Sequence, residues 1–406
     1  MSSSPPRLVL FVVAFPKLSE TFIVTKFSGL LAQGYDVHIV CQKFQRTEWK
    51  LFPQLDKRLQ KRVHAFWPRE PRWLVLLLLP VALLWCLGQN PKGCWHYLRS
   101  GWQQKGMAVF KQFYLDMPLI ILKPDLVHFC FGALAVEQIH LKKRLNCRLT
   151  ASFRGYDLNY VGLGIKGYYQ ALWDELDGLH LLGQDLWRRA QRRGCPPNKF
   201  HALIPPAIDL SFFAPASKFI EAAERPLRIL SIGRLTWVKG YEYALQAVKL
   251  LVEQGINLEY RVIGNGNYRE PLKFMCDDMG LKHSVQMLGS QSPAEVLAHL
   301  AWADIFLHTA VSEGFGNAAL EAQAMQVPVV CSDAGGLPEN VTNNETGFVV
   351  PRRSPQVLAE KLACLAYDPD LRQRMGQAGR CRVQKHFQLQ DQIKAFDQFF
   401  RQVLEA

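Results

Sequence analysis

No C-x-x-C pair occurs among the ten cysteines, at positions 41, 86, 94, 130, 147, 195, 276, 331, 364 and 381. Their scatter argues against a zinc site and fits reduced thiols in a cytoplasm. An apolar run long enough to span a bilayer is also missing. "WLVLLLLPVALLWCLG", from Trp73 to Gly88, holds sixteen uncharged residues with Pro80 in the middle, where a spanning helix needs about 20. There is no short-period repeat, and no low-complexity segment beyond the first six residues. With 49% hydrophobic and 20% charged residues, the chain is not a disordered one, and its 406 residues predict two domains. The opening "RLVLFVVAF" lacks a small-residue cleavage site and leads into Pro16 and a helix-start signal at Ser19. It reads as a buried first strand, not a signal peptide.

What is present is an uneven positive charge. The formal total is +13, and nine basic residues lie between Gln42 and Arg72 against Glu48, Asp56 and Glu70. The uncharged run follows directly, so segment 42–88 is basic and then apolar. It predicts an interfacial or buried helical pair, and basic residues beside Trp-rich apolar sequence suit an anionic bilayer surface. The alternative is an internal helix of the first domain with a solvated basic face. No recognition motif accompanies the charge, so nucleic acid is not an expected partner.

Short apolar strands alternate with amphipathic helices. After "RLVLFVVAF" come "DVHIVCQ", "DLVHFCF" (125–131), "RLTASF" (148–153) and "GLHLLG" (178–183). The rhythm restarts beyond a Pro-rich link with "LRILSIG" (227–233), "EYRVIG" (259–264), "VQMLG" (285–289), "DIFLHT" (304–309), "VPVVCSD" (327–333) and "GFVV" (347–350). Such alternation means parallel sheets covered by helices on both faces. The expected fold is α/β: two doubly wound domains facing each other, with ligands at the carboxyl ends of strands in the cleft between them. The predicted boundaries are 1–205, a linker at 206–226, a second domain at 227–385, and a C-terminal helix at 386–406 packing back on the first domain.

Three stretches stand where strands of the second half end. "GRLTWVKG" delivers Arg234 after Gly233, and Lys239 at a helix start. Two cations beside free backbone N–H groups suit a diphosphate, although a surface loop with ordinary basic residues fits as well. "GNGNYREPL" supplies Gly264 and Gly266, a lone G-x-G that permits close backbone approach or simply a tight turn. "SEGFGNAALE" places Glu313 at a helix mouth, with Gly314, Phe315, Gly316 and Asn317 between it and Glu321. Glycine lets backbone N–H groups near a ligand, and two carboxylates accept hydrogen bonds from diols. Glu313 could equally cap the helix, and Glu321 could be a buried structural acid.

Glu313 and Glu321 form an E-x7-E motif. With "GRLTWVKG" and "SDAGGLPENV" they resemble the nucleotide-binding half of a family 4 retaining glycosyltransferase. "FPKLSETFI" at 15–23 and "SFRGYDL" at 152–158 are similar to the branch that builds colanic acid and other exopolysaccharides, and 367–387 looks like the family's closing helices. The resemblance implies a GT-B fold and a retaining hexosyltransferase with a nucleotide-sugar donor and a glycan or lipid-linked acceptor. It would work at the inner face of the cytoplasmic membrane. By the same pattern Arg234 and Lys239 hold the diphosphate and replace a metal, so no cofactor is expected. Glu321 would take the ribose hydroxyls, Glu313 the sugar's hydroxyls, and the N–H groups around Gly314 to Asn317 the sugar or its phosphate. "DPD" at 368–370 matches a metal-binding D-x-D, but it reads as a turn and helix cap.

In the first half, Ser19, Glu20 and Thr21 open a helix after the first strand and are acceptor or cleft candidates. Many family members carry histidine where Arg154 stands, and arginine cannot act as a base at neutral pH. Arg154 could instead add positive charge near the leaving phosphate. His128, at a strand end, is a second cleft candidate or a satisfied structural residue. Asp157 either fixes the Arg154 loop or binds acceptor. Thr309 and Ala310 replace a common Pro-Ser, which changes the stiffness of the loop. Two other functions stay open: a nucleotide-sugar epimerase, and a non-catalytic nucleotide-sugar or glycan-binding relative.

Overall fold

The computed structural model describes residues 5–17, 20–52, 54–68, 70–215 and 225–406. The chain divides into two compact units, Met1–Leu181 with Arg188–Ile204 and Ile393–Ala406, and Leu182–Trp187 with Pro205–Gln392.

The first unit is built on a seven-stranded sheet. Its strands are β1 (Arg7–Phe15), β2 (Asp36–Phe44), β3 (Val63–Ala65), β4 (Leu126–Phe129), β5 (Arg148–Phe153), β6 (Gly178–Leu181) and β7 (His201–Leu203), in spatial order β3-β2-β1-β4-β5-β6-β7. All pairings are parallel; Phe11 of β1 lies opposite Val40 on one side and Phe129 on the other. Strands covered on both faces must be apolar almost throughout, and β1 is buried over Leu8–Val12. Helix Thr21–Ala32 packs Ile23, Phe27 and Leu30 into the same core. It ends before Gly34, whose φ of 90° only glycine adopts without strain. The last helix, Leu389–Glu405, contributes Phe396, Phe399, Phe400 and Val403 to this core.

The second unit has six strands: β8 (Leu227–Ile232), β9 (Leu258–Ile263), β10 (Val285–Gly289), β11 (Ile305–His308), β12 (Val329–Ser332) and β13 (Gly347–Val350), ordered β10-β9-β8-β11-β12-β13 and again all parallel. The strand order reverses between β8 and β11, which is where ligands of open α/β sheets bind.

The sequence patterns located eleven of these thirteen strands. The two missed, β3 and β7, are three-residue edge strands too short to show a period. The helical pair expected around Pro80 is instead one helix, Arg72–Gln89, with Pro80 inside it on the exposed side. A proline removes one backbone hydrogen bond but need not end a helix whose neighbours hold it. Among the described residues no helix is long and apolar enough to cross a membrane.

Candidate active site

The loops after β8 and β11 meet at the switch point of the second sheet. Val311 and Ser312 donate backbone hydrogen bonds to Val238 O. Thr309 Oγ1 donates to Gly240 O at 2.8 Å. Gly240 has φ 62°, and a Cβ there would lie 2.3 Å from Thr309 O. The two loops are therefore zipped into one platform, with Thr309 as its fastener.

On this platform Lys239 Nζ lies 2.5 Å from Glu313 Oε2, and His308 Nε2 lies 3.0 Å from the same oxygen. The other oxygen, Oε1, accepts from Gly314 N at 2.9 Å. Burial works to raise the Glu313 carboxyl, but the Lys239 ammonium and the His308 hydrogen bond outweigh it and hold it well below the usual carboxylate range. Burial lowers His308 despite Glu313, so its imidazole is neutral at pH 7. The cluster is an ionised carboxylate held between one cation and one neutral donor.

Arg234 stands exposed at the end of β8, and its guanidinium has no side-chain partner among the described residues. Glu321 is the fifth residue of helix Asn317–Ala324, one turn in rather than the two its spacing suggests. It too lacks a side-chain partner among the described residues, and burial pushes its carboxyl up to about 7. The platform thus carries one spare cation and one spare carboxyl, both able to take a ligand's groups. Asn317, first in the helix, is exposed.

Other predicted residues have structural explanations. A Cβ on Gly264 would fall 1.9 Å from Gly233 O, and one on Gly266 would fall 2.1 Å from Leu235 O. These glycines let the loops after β9 and β8 touch backbone to backbone, so close approach to a nucleotide is not needed to explain them. Phe315 is buried with its ring 5.8 Å from that of Phe387. Gly316, with φ 92°, abuts Leu337. Asp368 caps helix Pro369–His386 by accepting from Leu371 N at 2.8 Å. Among the described residues no group of three or more His, Cys, Asp or Glu is placed to hold a metal.

Two positioning residues escaped the sequence reading. His308 ends a strand, the same signal that singled out His128. Asn340, in "SDAGGLPENV", donates from Nδ2 to Phe315 O at 3.1 Å and Gly316 O at 2.8 Å, which pins the helix mouth.

In the first unit, Ser19 lies outside the described residues. Glu20 pairs with Lys17 at 2.6 Å and precedes Thr21, the first helical residue. The Arg154 guanidinium lies 3.6 Å from the Phe22 ring centroid, and its Nε is buried without a hydrogen-bond partner among the described residues. Burial pushes Arg154 down to about 10, which leaves it charged at neutral pH. Asp157 is fully buried and accepts from Ala133 N and Arg154 N, both at 2.9 Å. It fixes the Arg154 loop through these backbone hydrogen bonds. His128 corrects the strand-end expectation most clearly. It is fully buried, 2.9 Å from both Thr150 Oγ1 and Ser152 Oγ and 3.2 Å from Lys26 Nζ. Phe396 and Phe400 of the last helix lie across it.

Comparison with known proteins gives concordant results. Residues 214–382 match the family described as Glycosyl transferases group 1. WcaL of Escherichia coli (strain K12), named for colanic acid biosynthesis, is 28% identical over 387 residues, covering 89% of this chain and 90% of its own. The amylovoran biosynthesis glycosyltransferase AmsK of Erwinia amylovora is 28% identical over 377 residues, at 89% and 90% coverage. Among solved structures, Anabaena HepE in complex with UDP superposes with a TM-score of 0.70 at 14% identity, over 98% of this chain and 100% of its own. The shared fold is GT-B, two Rossmann-like parallel-sheet domains.

Proposed function

We propose that this glycosyltransferase, whose residues 214–382 match the family described as Glycosyl transferases group 1, moves a hexose-type sugar from a nucleotide-sugar to a glycan or lipid-linked acceptor in exopolysaccharide synthesis. WcaL and AmsK support the exopolysaccharide setting. The complexes of HepE with UDP and with UDP-glucose support the donor class. The observation that carries the reading is the switch-point platform: Lys239 and His308 both on Glu313, with Arg234 and Glu321 lacking side-chain partners among the described residues.

In this reading Arg234 and Lys239 bind the diphosphate and stabilise its charge as it departs, in place of a metal. Glu321 accepts from the ribose hydroxyls. Glu313, held by His308, accepts from hydroxyls of the donor sugar. The transfer retains configuration. The acceptor oxygen bonds to the anomeric carbon on the face the diphosphate leaves, the bond to the β-phosphate oxygen breaks with its electron pair going to the diphosphate, and the acceptor proton passes to that phosphate. Holding acceptor and departing diphosphate together on that one face is the enzyme's main contribution. Arg154, charged and short of hydrogen-bond partners, adds positive potential for an anion.

Calorimetric titration with UDP, GDP and ADP, without metal, tests the donor site. Selective binding of one nucleotide, weakened in Lys239→Ala and Glu321→Ala, is the expected result. A folded protein that binds none of the three refutes it. Incubation with nucleotide-sugar alone separates the epimerase reading, since an epimerase converts its donor without acceptor.

A further inference from the structure

We propose that the outer faces of two helices of the first unit, Arg72–Gln89 and Pro91–Lys105, form a docking surface for an anionic phospholipid bilayer. The first helix has two apolar sides. Its inner side places Ala82 and Cys86 in a core with Cys94, Tyr97, Val109 and Phe113. On its outer side Trp73, Leu77, Val81 and Leu84 recur at helical spacing, with Leu76 beside them. All five are exposed, Leu76 and Leu84 to 71%. A continuous apolar stripe of this length is unusual on a free surface.

The inner side is already fastened. Tyr97 Oη donates to Asp116 Oδ2 at 2.5 Å, Arg144 donates to Tyr97 Oη at 3.1 Å, and Asn90 Nδ2 donates to Ile120 O at 2.6 Å. The outer stripe is thus a second face of a completed helical layer, not a core left open.

Charge identifies the occupant. From Pro71 to Leu115 the sequence holds Arg72, Lys92, Arg99, Lys105 and Lys111, and no aspartate or glutamate. Along helix Pro91–Lys105, exposed Lys92, Trp95, Arg99 and Trp102 fall on one face and alternate cation with indole. Tryptophan favours the headgroup level of a bilayer, and each nearby Lys or Arg adds attraction to anionic lipid. A second copy of this chain would set these cations against their own images, which disfavours a two-fold pairing. The stripe runs along a helix too short to span, so the helix lies on the bilayer with its apolar side immersed. The basic run at 42–62 is not the same feature, since Arg62 there is tied to Asp36 at 2.5 Å. Docking at this surface gives access to a lipid-linked acceptor; that purpose rests on the transferase reading, while the docking does not.

The test is co-sedimentation of the full chain with phosphatidylglycerol–phosphatidylcholine vesicles and with phosphatidylcholine vesicles. Wild type is compared with Leu77→Ser/Leu84→Ser and Lys92→Glu/Arg99→Glu, all at exposed positions, with thermal melts as the check on folding. Wild type is expected to sediment with the anionic vesicles, and each double variant to lose roughly tenfold or more in partition. Wild type left in the supernatant overturns the proposal, as does binding equal in all three proteins. A dimer in sedimentation velocity that Leu77→Ser/Leu84→Ser dissociates, with no vesicle binding, also overturns it and assigns the face to a second copy. Vesicle binding as expected in a protein that binds no nucleotide would sustain the docking surface and remove the transferase reading alone.

Discussion

Each unit sets a lysine against a histidine on the strand beside its first strand, and the two pairs have opposite fates. In the first unit Lys26 meets His128 on β4, the neighbour of β1; in the second, Lys239 and His308 of β11, the neighbour of β8, share Glu313. Among the described residues no carboxylate joins the first pair. Burial lowers Lys26 to about 7 and keeps His128 neutral, and the network continues inward through Ser152 to His180 and Ile204 O. Lys26 Nζ lies 3.8 Å from the Phe396 ring centroid, under the last helix. In the second pair the Glu313 carboxylate supplies the counter-charge beside Lys239 in a partly buried place. The difference is that Glu313 bridges Lys239 and His308, whereas Lys26 and His128 meet directly beneath the last helix.

The comparison can be broken most forcefully at Lys26. Its pKa is lowered from 10.5 to about 7 on folding. The unfolded chain therefore binds more protons between those values, and wild-type stability should rise with pH across that window and be least below pH 7. Lys26→Met removes the charging cost, which on the full shift is about 5 kcal/mol. Denaturant melts at pH 6 should show the variant more stable than wild type, with the gap closing by pH 10.5. A less stable variant at pH 6 would mean that the amine is a net structural asset.

At the second pair the distinguishing loss is in binding. Lys239→Ala should cost about 3 kcal/mol, or roughly a hundredfold, in diphosphate affinity by calorimetry, because a charge-assisted contact is lost. Lys26→Met should leave that affinity unchanged.

Glu321 sharpens the contrast between paired and spare carboxyls. Its pKa is raised from 4.5 to about 7, so it destabilises the folded chain as pH rises through that window. Glu321→Gln should stabilise the free protein at pH 8 by about 3 kcal/mol and have no effect at pH 4, as read by thermal melts. The same variant should bind nucleotide more weakly.

The smallest effect belongs to His308. His308→Gln should raise the KM for the nucleotide-sugar about tenfold while leaving nucleoside diphosphate affinity within about threefold, since it orients Glu313 and not the phosphate cations. Equal losses for both ligands would place His308 in the diphosphate contact itself.

Strand positions and parallel topology were legible because strands buried on two faces must be apolar runs, and these alternate with helices along the whole chain. The E-x7-E pair was legible for a similar reason: a strand end, a glycine turn and a helix lie within one short stretch. His308 was not singled out, because its meaning comes from Glu313 and Lys239, the latter a distant residue brought in by the neighbouring strand. His128 carried the same strand-end signal and proved to be core, since the helix that covers it arrives from the far end of the sequence. Gly264 and Gly266 looked like ligand-approach glycines, yet the atoms they make room for are Gly233 O and Leu235 O on an adjacent loop.

The sequence by itself determined the two α/β units, the loops that bear the charged residues and the acid-free stretch from Pro71 to Leu115, because periodicity, turn chemistry and composition are local properties. Tertiary structure alone decided which lysine meets a carboxylate, which carboxylate is paired and which is spare, and which side of helix Arg72–Gln89 is left uncovered. Those outcomes depend on desolvation and on contacts between residues far apart in the chain, and neither quantity exists until the sheets have formed and the last helix has packed.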